Sequence, residues 1–287
     1  MKAIDMQVCT STREGIGRMI RDDGILAELT QYFRSPDDYF KTEDEFIQGL
    51  RESAVKCVIC SGTWKFMGWT DFEEIKERNN YLGHLIKDYP DAVLGAWISL
   101  DPDWGLKGLR ELERCIKDLG TCGIAVCGSM SNTPANDRSF YPFYELCIEA
   151  NVPVKIWVGH IAVQGRGLRL WTENPIPHVD DVAADFPELK IVCAHHPWPF
   201  HNEMASVLIH HPNVYNEQHG WSPKYFPDTF KKDINSRLQD KIMFGSDYPY
   251  FSYRRLFPDW EAEGFKPQVL EKVFYKNAER VLGHLKR

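Results

Sequence analysis

Eight short runs of apolar and β-branched residues recur along this chain, each followed by a longer stretch that carries charge on one side and apolar residues on the other. The runs fall at 3–9, 55–60, 92–99, 123–127, 152–158, 189–194, 213–217 and 241–244. The stretches between and after them predict helices near 42–53, 71–89, 104–119, 140–150, 178–186, 201–210, 229–238 and 267–285. Strands that alternate with helices pair in parallel, because each crossover returns the chain to the same end of the sheet before the next strand begins. Eight evenly spaced strands favour a closed (β/α)8 TIM barrel over an open doubly wound sheet, and no glycine-rich phosphate loop follows the first run. The length of 287 residues fits one such barrel, and no low-complexity linker divides it, so a single domain over 1–287 is expected.

Local chemistry agrees with this reading. Thr42 stands before Glu43 and Glu45, and Thr70 before Asp71, Glu73 and Glu74, each placing a capping oxygen ahead of first-turn acids. Tyr89-Pro90-Asp91, Phe186-Pro187-Glu188 and His211-Pro212-Asn213 end helices, since proline blocks their continuation. The net charge of −7 argues against nucleic-acid or anionic-membrane partners, which need clustered Lys and Arg, and leaves a small molecule as the expected partner. A homo-oligomer is compatible with all of this. The start, Met1-Lys2-Ala3-Ile4-Asp5, has no apolar signal region, and eight cysteines without one suggest reduced thiols in a cytoplasmic protein. Cys57 and Cys60 have the spacing of a metal or redox pair, but they lie in a predicted strand where residues three apart face opposite ways, so they read as structural.

In a βα barrel the chemistry comes from the carboxyl ends of the strands and the loops behind them. Reading those exits in order gives Gln7 and Cys9, Ser61, Asp101, Ser129, Trp157 and His160, His195 and His196, Glu217 and His219, then Asp247. His195 and Asp247 stand at matched exits, where one can relay a proton while the other holds water. Glu217 and His219 share one face of an extended strand, whereas His196 faces away from its neighbour and reads as structural. The loop from His160 through Gly165-Arg166-Gly167 to Trp171 carries Arg166 and Arg169, suited to a carboxylate. Trp64, Phe66, Trp157, Trp171, Trp198 and Trp221 could wall a pocket for a flat ring.

Three phrases carry a family likeness: the run from Asp185 to His195, the later His211-Pro212-Asn213-Val214-Tyr215, and Phe244-Gly245-Ser246-Asp247-Tyr248-Pro249. With the closing Lys276-Asn277-Ala278-Glu279-Arg280-Val281-Leu282-Gly283, the chain resembles the amidohydrolase-related group that holds aminocarboxymuconate-semialdehyde decarboxylase, γ-resorcylate decarboxylase and pyrone-dicarboxylate lactonase. The resemblance implies a divalent metal such as zinc or manganese, held by a His-x-His pair ending strand one, a His ending strand five and the Asp ending strand eight. It also implies that His195 assists proton transfer and that Asp247 is the acidic residue. This chain departs at the other positions, with Gln7 and Cys9 for the pair and Trp157 for the fifth-strand His. Gln is a poor zinc ligand and Trp is none, so no metal set is assigned, although Cys9, His160, His219 and Asp247 together could form a displaced site.

The expectation that follows is a hydrolase of a small cyclic or aromatic carboxylated compound. Asp247 serves as general base and His195 and His160 assist it, while Gln7, Cys9, Trp157, Arg166, Glu217 and His219 contact the substrate. The alternatives are a non-oxidative decarboxylase of a hydroxybenzoate-like or muconate-like acid, and a ligand-binding barrel that has lost catalysis.

Overall fold

β1 (Ala3–Cys9), β2 (Val55–Cys60), β3 (Val93–Ser99), β4 (Gly123–Val126), β5 (Val154–Trp157), β6 (Ile191–Ala194), β7 (Val214–Glu217) and β8 (Ile242–Met243) pair in that order, each parallel to the next. This computed structural model describes residues 2–10, 12, 15–34 and 42–285; Met1, part of the start read above, lies outside them. The ring closes where β1 meets the chain leaving β8. There Met6 N–H donates to the Phe244 carbonyl (3.0 Å), Asp247 N–H to the Gln7 carbonyl (3.0 Å) and Cys9 N–H to the Tyr248 carbonyl (2.9 Å). The expected barrel is therefore present, and its closure sets Gln7, Cys9 and Asp247 side by side.

All eight expected helices occur near their expected places, with Thr42 forming a reciprocal cap with Glu45. Asp71, rather than Thr70, caps the next helix, its carboxylate accepting from Glu73 N–H. Besides the short Gly128–Ser131 turn of helix, two longer helices lie outside those expectations. Asp23–Phe33 follows β1, and Tyr253–Ala262, with Pro258 interrupting its pattern, follows β8. Both belong to the site, since Leu29, Phe33 and Arg255 on them line the cavity described below.

The strands are buried on both faces, as parallel strands under helices must be, and all eight cysteines are buried and unbridged. Cys57 and Cys60 do not pair: Cys60 Sγ instead lies 3.6 Å from Ser99 Oγ. Among the described residues no helix is long and apolar enough to cross a membrane.

Candidate active site

A cavity of about 410 Å³ opens at the carboxyl ends of the strands. Its walls are mostly apolar, with Trp64 and Trp157 meeting edge to face (centroids 5.2 Å apart) and Met67, Met130 and Ile161 around them. Gln7, Cys9, His160, His195, His219 and Asp247 bring the polar groups to this wall. Six residues from five strand exits thus converge, as the exit rule requires.

His195 and Asp247 hold left-handed backbones, with φ of 81° and 62°. A side chain with a Cβ costs free energy in that region, and such strain concentrates where a fold must aim a particular group. His195 is aimed by its neighbours. Its Nδ1 lies 3.0 Å from the His196 carbonyl, which can only accept, so Nδ1 carries the proton and Nε2 keeps its lone pair. That lone-pair edge packs over Gly220, where an added Cβ would stand 2.4 Å from Nε2. Burial pushes His195 well below the usual imidazole value, with His219 adding to it, so the ring stays neutral.

Asp247 is largely enclosed. Burial raises its carboxyl above the usual value, Glu217 adds to this, and His219 and Lys155 temper it. Cys9 Sγ lies 3.7 Å from Asp247 Oδ1, and His219 Nε2 lies 3.8 Å from Oδ2. Burial also pushes the Cys9 thiol well above its usual value, so it faces Asp247 as a weak donor.

Behind these groups lies a fully buried ion pair that the sequence reading missed. Lys155, in the middle of β5, sends its ammonium to Glu217 Oε1 (2.9 Å), Gln7 Oε1 (2.6 Å) and the Met6 carbonyl (2.9 Å). All three N–H donors of an ammonium are thereby satisfied. The register shift of β1 between Asp5 and Val8 accompanies this contact with the Met6 carbonyl. Glu217 Oε1 also lies 2.6 Å from His219 Nδ1, and its Oε2 accepts from His219 N–H at 3.0 Å. Burial alone would raise Glu217, but His219 and Lys155 overcome it and hold the group ionised. His219 Nδ1 therefore donates to Glu217, and the backbone N–H of His195, 3.1 Å from the same nitrogen, gains no acceptor there. The signal for Lys155 was present: it alternates with Trp157 in an apolar strand, and residues two apart share a face.

The remaining expectations divide. His160 borders the cavity with Nδ1 buried and without a hydrogen-bond partner among the described residues, as is Trp64 Nε1. Glu217, expected as a substrate contact, stands behind His219 rather than on the cavity wall. Arg166 does not reach the cavity: it is exposed, 3.5 Å from Glu28 Oε2, because the loop docks on the Asp23–Phe33 helix, where Gln164 N–H also donates to Glu28. Arg169 turns to Asn132. Among the described residues the cation at the cavity is instead Arg255, 3.8 Å from Asp259. Of the six aromatics, Trp64, Trp157 and Trp221 line the cavity; Trp171 and Trp198 are exposed outside it, and Phe66 is not on its wall. His196 is structural as expected, stacked on Phe226 and bonded to Gln218 and His201.

Residues 65–284 match the amidohydrolase family. The chain belongs to that family. It is 28% identical to a 2-keto-4-carboxy-3-hexenedioate hydratase from Sphingobium over 131 residues, a match that spans 41% of this chain and only 38% of the hydratase. It is 22% identical to the 2-amino-3-carboxymuconate-6-semialdehyde decarboxylase of Dictyostelium discoideum, over 88% of this chain and 80% of that one. Among solved structures it superposes on 5-carboxyvanillate decarboxylase from Novosphingobium aromaticivorans, crystallised with manganese and 4-hydroxy-3-methoxy-5-nitrobenzoic acid. The TM-score is 0.72 at 18% identity, over 98% of this chain and 96% of that one.

The metal that amidohydrolase resemblance implies does not fit the residues present. Trp157 offers no ligand atom, and Gln7 has its carbonyl oxygen committed to Lys155, so its NH₂ faces Cys9 Sγ at 3.9 Å. A donor group cannot coordinate a cation. The displaced set of Cys9, His160, His219 and Asp247 is not assembled either: among the described residues no three His, Cys, Asp or Glu side chains converge to hold an ion.

Proposed function

We propose that this barrel is a carboxy-lyase that removes carbon dioxide from a small planar acid of the hydroxybenzoate or muconate kind. The observation that carries the reading is the pairing, on one apolar cavity, of a neutral imidazole with a carboxyl whose protonated form burial favours. Decarboxylation of an electron-rich ring or enol needs those two groups. His195 Nε2 accepts the hydroxyl proton, which raises electron density at the carbon bearing the carboxylate. Asp247 delivers its proton to that carbon. The bond to the carboxylate then breaks, its electron pair stays with the ring or enol, and carbon dioxide leaves as a neutral molecule into a wall of Trp64, Trp157 and Met67. His195 returns the hydroxyl proton, and Asp247 takes a fresh one from solvent.

Hydrolysis, the first expectation from the sequence, is less well supported. It needs Asp247 ionised as a base toward water, whereas burial disfavours that ionised form. The decarboxylase names among the relatives favour the lyase. A barrel that only binds would have no use for two strained backbones aiming a base and an acid at one cavity.

The test is a panel of hydroxybenzoates, carboxymuconates and lactones incubated with the purified protein, following carbon dioxide release and ring opening separately. Carbon dioxide from a planar acid is the expected result. Ring opening of a lactone without carbon dioxide would return the site to hydrolysis.

A further inference from the structure

We propose that Lys155 supplies, as a fixed ammonium inside the barrel, the positive charge that a divalent cation would otherwise bring to this end of the barrel, and that the site therefore binds no metal. The inference concerns what holds the site together and stands whichever acid the cavity takes.

Three observations carry it. Lys155 Nζ is fully buried and touches one carboxylate, Glu217, which in turn holds His219 toward Asp247. The ammonium thus sits one residue pair below Trp157 on the same strand face and balances the acidic groups from inside. Second, Lys155 turns the Gln7 carbonyl inward, so the side chain at the first of the resembling ligand positions shows only N–H donors to Cys9. Third, the ammonium lies 5.0 Å from the Trp157 ring centroid and 5.5 Å from that of Trp97, so aromatic rings flank it beside the three oxygens that it already occupies. A second cation close to Lys155 would meet its repulsion in a medium that screens poorly.

The decisive experiment measures metal rather than activity. The full chain, purified without chelator, is expected to carry far less than one zinc or manganese per molecule, to melt at the same temperature with and without EDTA, and to give no tight site on calorimetric titration with either ion. A stoichiometric metal, or a melting temperature that drops on chelation, overturns the proposal. The role of Lys155 itself is read in Lys155→Ala, which removes the repelling charge and frees Gln7 Oε1 beside Glu217. That variant is expected to bind zinc about tenfold or more tighter than the parent and to melt higher when zinc is added. Lys155→Ala/Glu217→Gln, with both charges removed, should lose that gain. If the single variant does not fold without zinc, zinc should restore it and the double variant should fold alone, because no unpaired buried charge remains. A Lys155→Ala protein that gains no affinity for zinc, or a double variant less stable than the single one, shows that Lys155 is only packing.

Discussion

A Cβ on Gly245 would stand 2.1 Å from Glu217 Oε2, so the strand exit that delivers Asp247 can pass the buried carboxylate only as glycine. The backbone of Gly245 has no positive φ to explain the residue; space does. Gly245→Ala is therefore expected to push Glu217 off His219 and Lys155, lowering stability by about 1–3 kcal/mol as overpacked sites do. Urea unfolding of the variant checks this, and a parent-like midpoint would show that Glu217 lies elsewhere.

Asp247→Asn separates strain and chemistry. Asn tolerates the left-handed backbone as well as Asp does, and it removes a carboxyl that burial disfavours in its ionised form. The variant should melt at or above the temperature of the parent while turnover falls by about 10²–10⁴-fold, the usual worth of a positioned acid. Retained turnover at full stability would remove Asp247 from the reaction.

What the chain discloses before folding is uneven, for physical reasons. The eight strands and the exits bearing His195 and Asp247 were legible, because parallel strands must be apolar and barrel chemistry must lie at their ends. Lys155 was passed over because a single charge in an apolar strand looks like an edge residue until closure shows which face is inside. Arg255 and Phe33 were invisible as site residues because their helices were not recognised, one of them interrupted by Pro258. Arg166 was legible as a cation but not in direction, since Glu28, which draws it away, belongs to one of those helices.

Glu173 predicts a pH dependence outside the reaction. Its carboxyl is fully enclosed near β4, where Oε1 accepts from Ser129 N–H at 2.7 Å and Oε2 has no partner among the described residues. Burial raises it to about 7 from 4.5. Below pH 4.5 both folded and unfolded chains keep this proton; between there and about 7 the unfolded chain loses it first, so this group's contribution to stability falls as pH rises. The slope is about 1.4 kcal/mol per pH unit for this group alone. Glu173→Gln should flatten that part of the curve, measured by urea unfolding at several pH values across the interval. An unchanged slope would mean that Glu173 ionises in the folded protein as it does in water.

Gly220→Ala tests how His195 is aimed. Gly220 holds a φ of +80°, and a Cβ there would meet His195 Nε2 at 2.4 Å, so the substitution strains the backbone and displaces the imidazole nitrogen of His195 that keeps its lone pair. The displacement cannot be relieved by turning the ring about its other nitrogen without breaking the Nδ1 contact to the His196 carbonyl. Loss of the base should therefore appear in turnover more than in binding: kcat is expected to fall by about 10²-fold or more, with KM changed far less. His195→Gln, which keeps a polar side chain but no imidazole base, should lower kcat by a similar factor. If Gly220→Ala instead raises KM and leaves kcat intact, Gly220 shapes the cavity only and His195 Nε2 is not the proton acceptor.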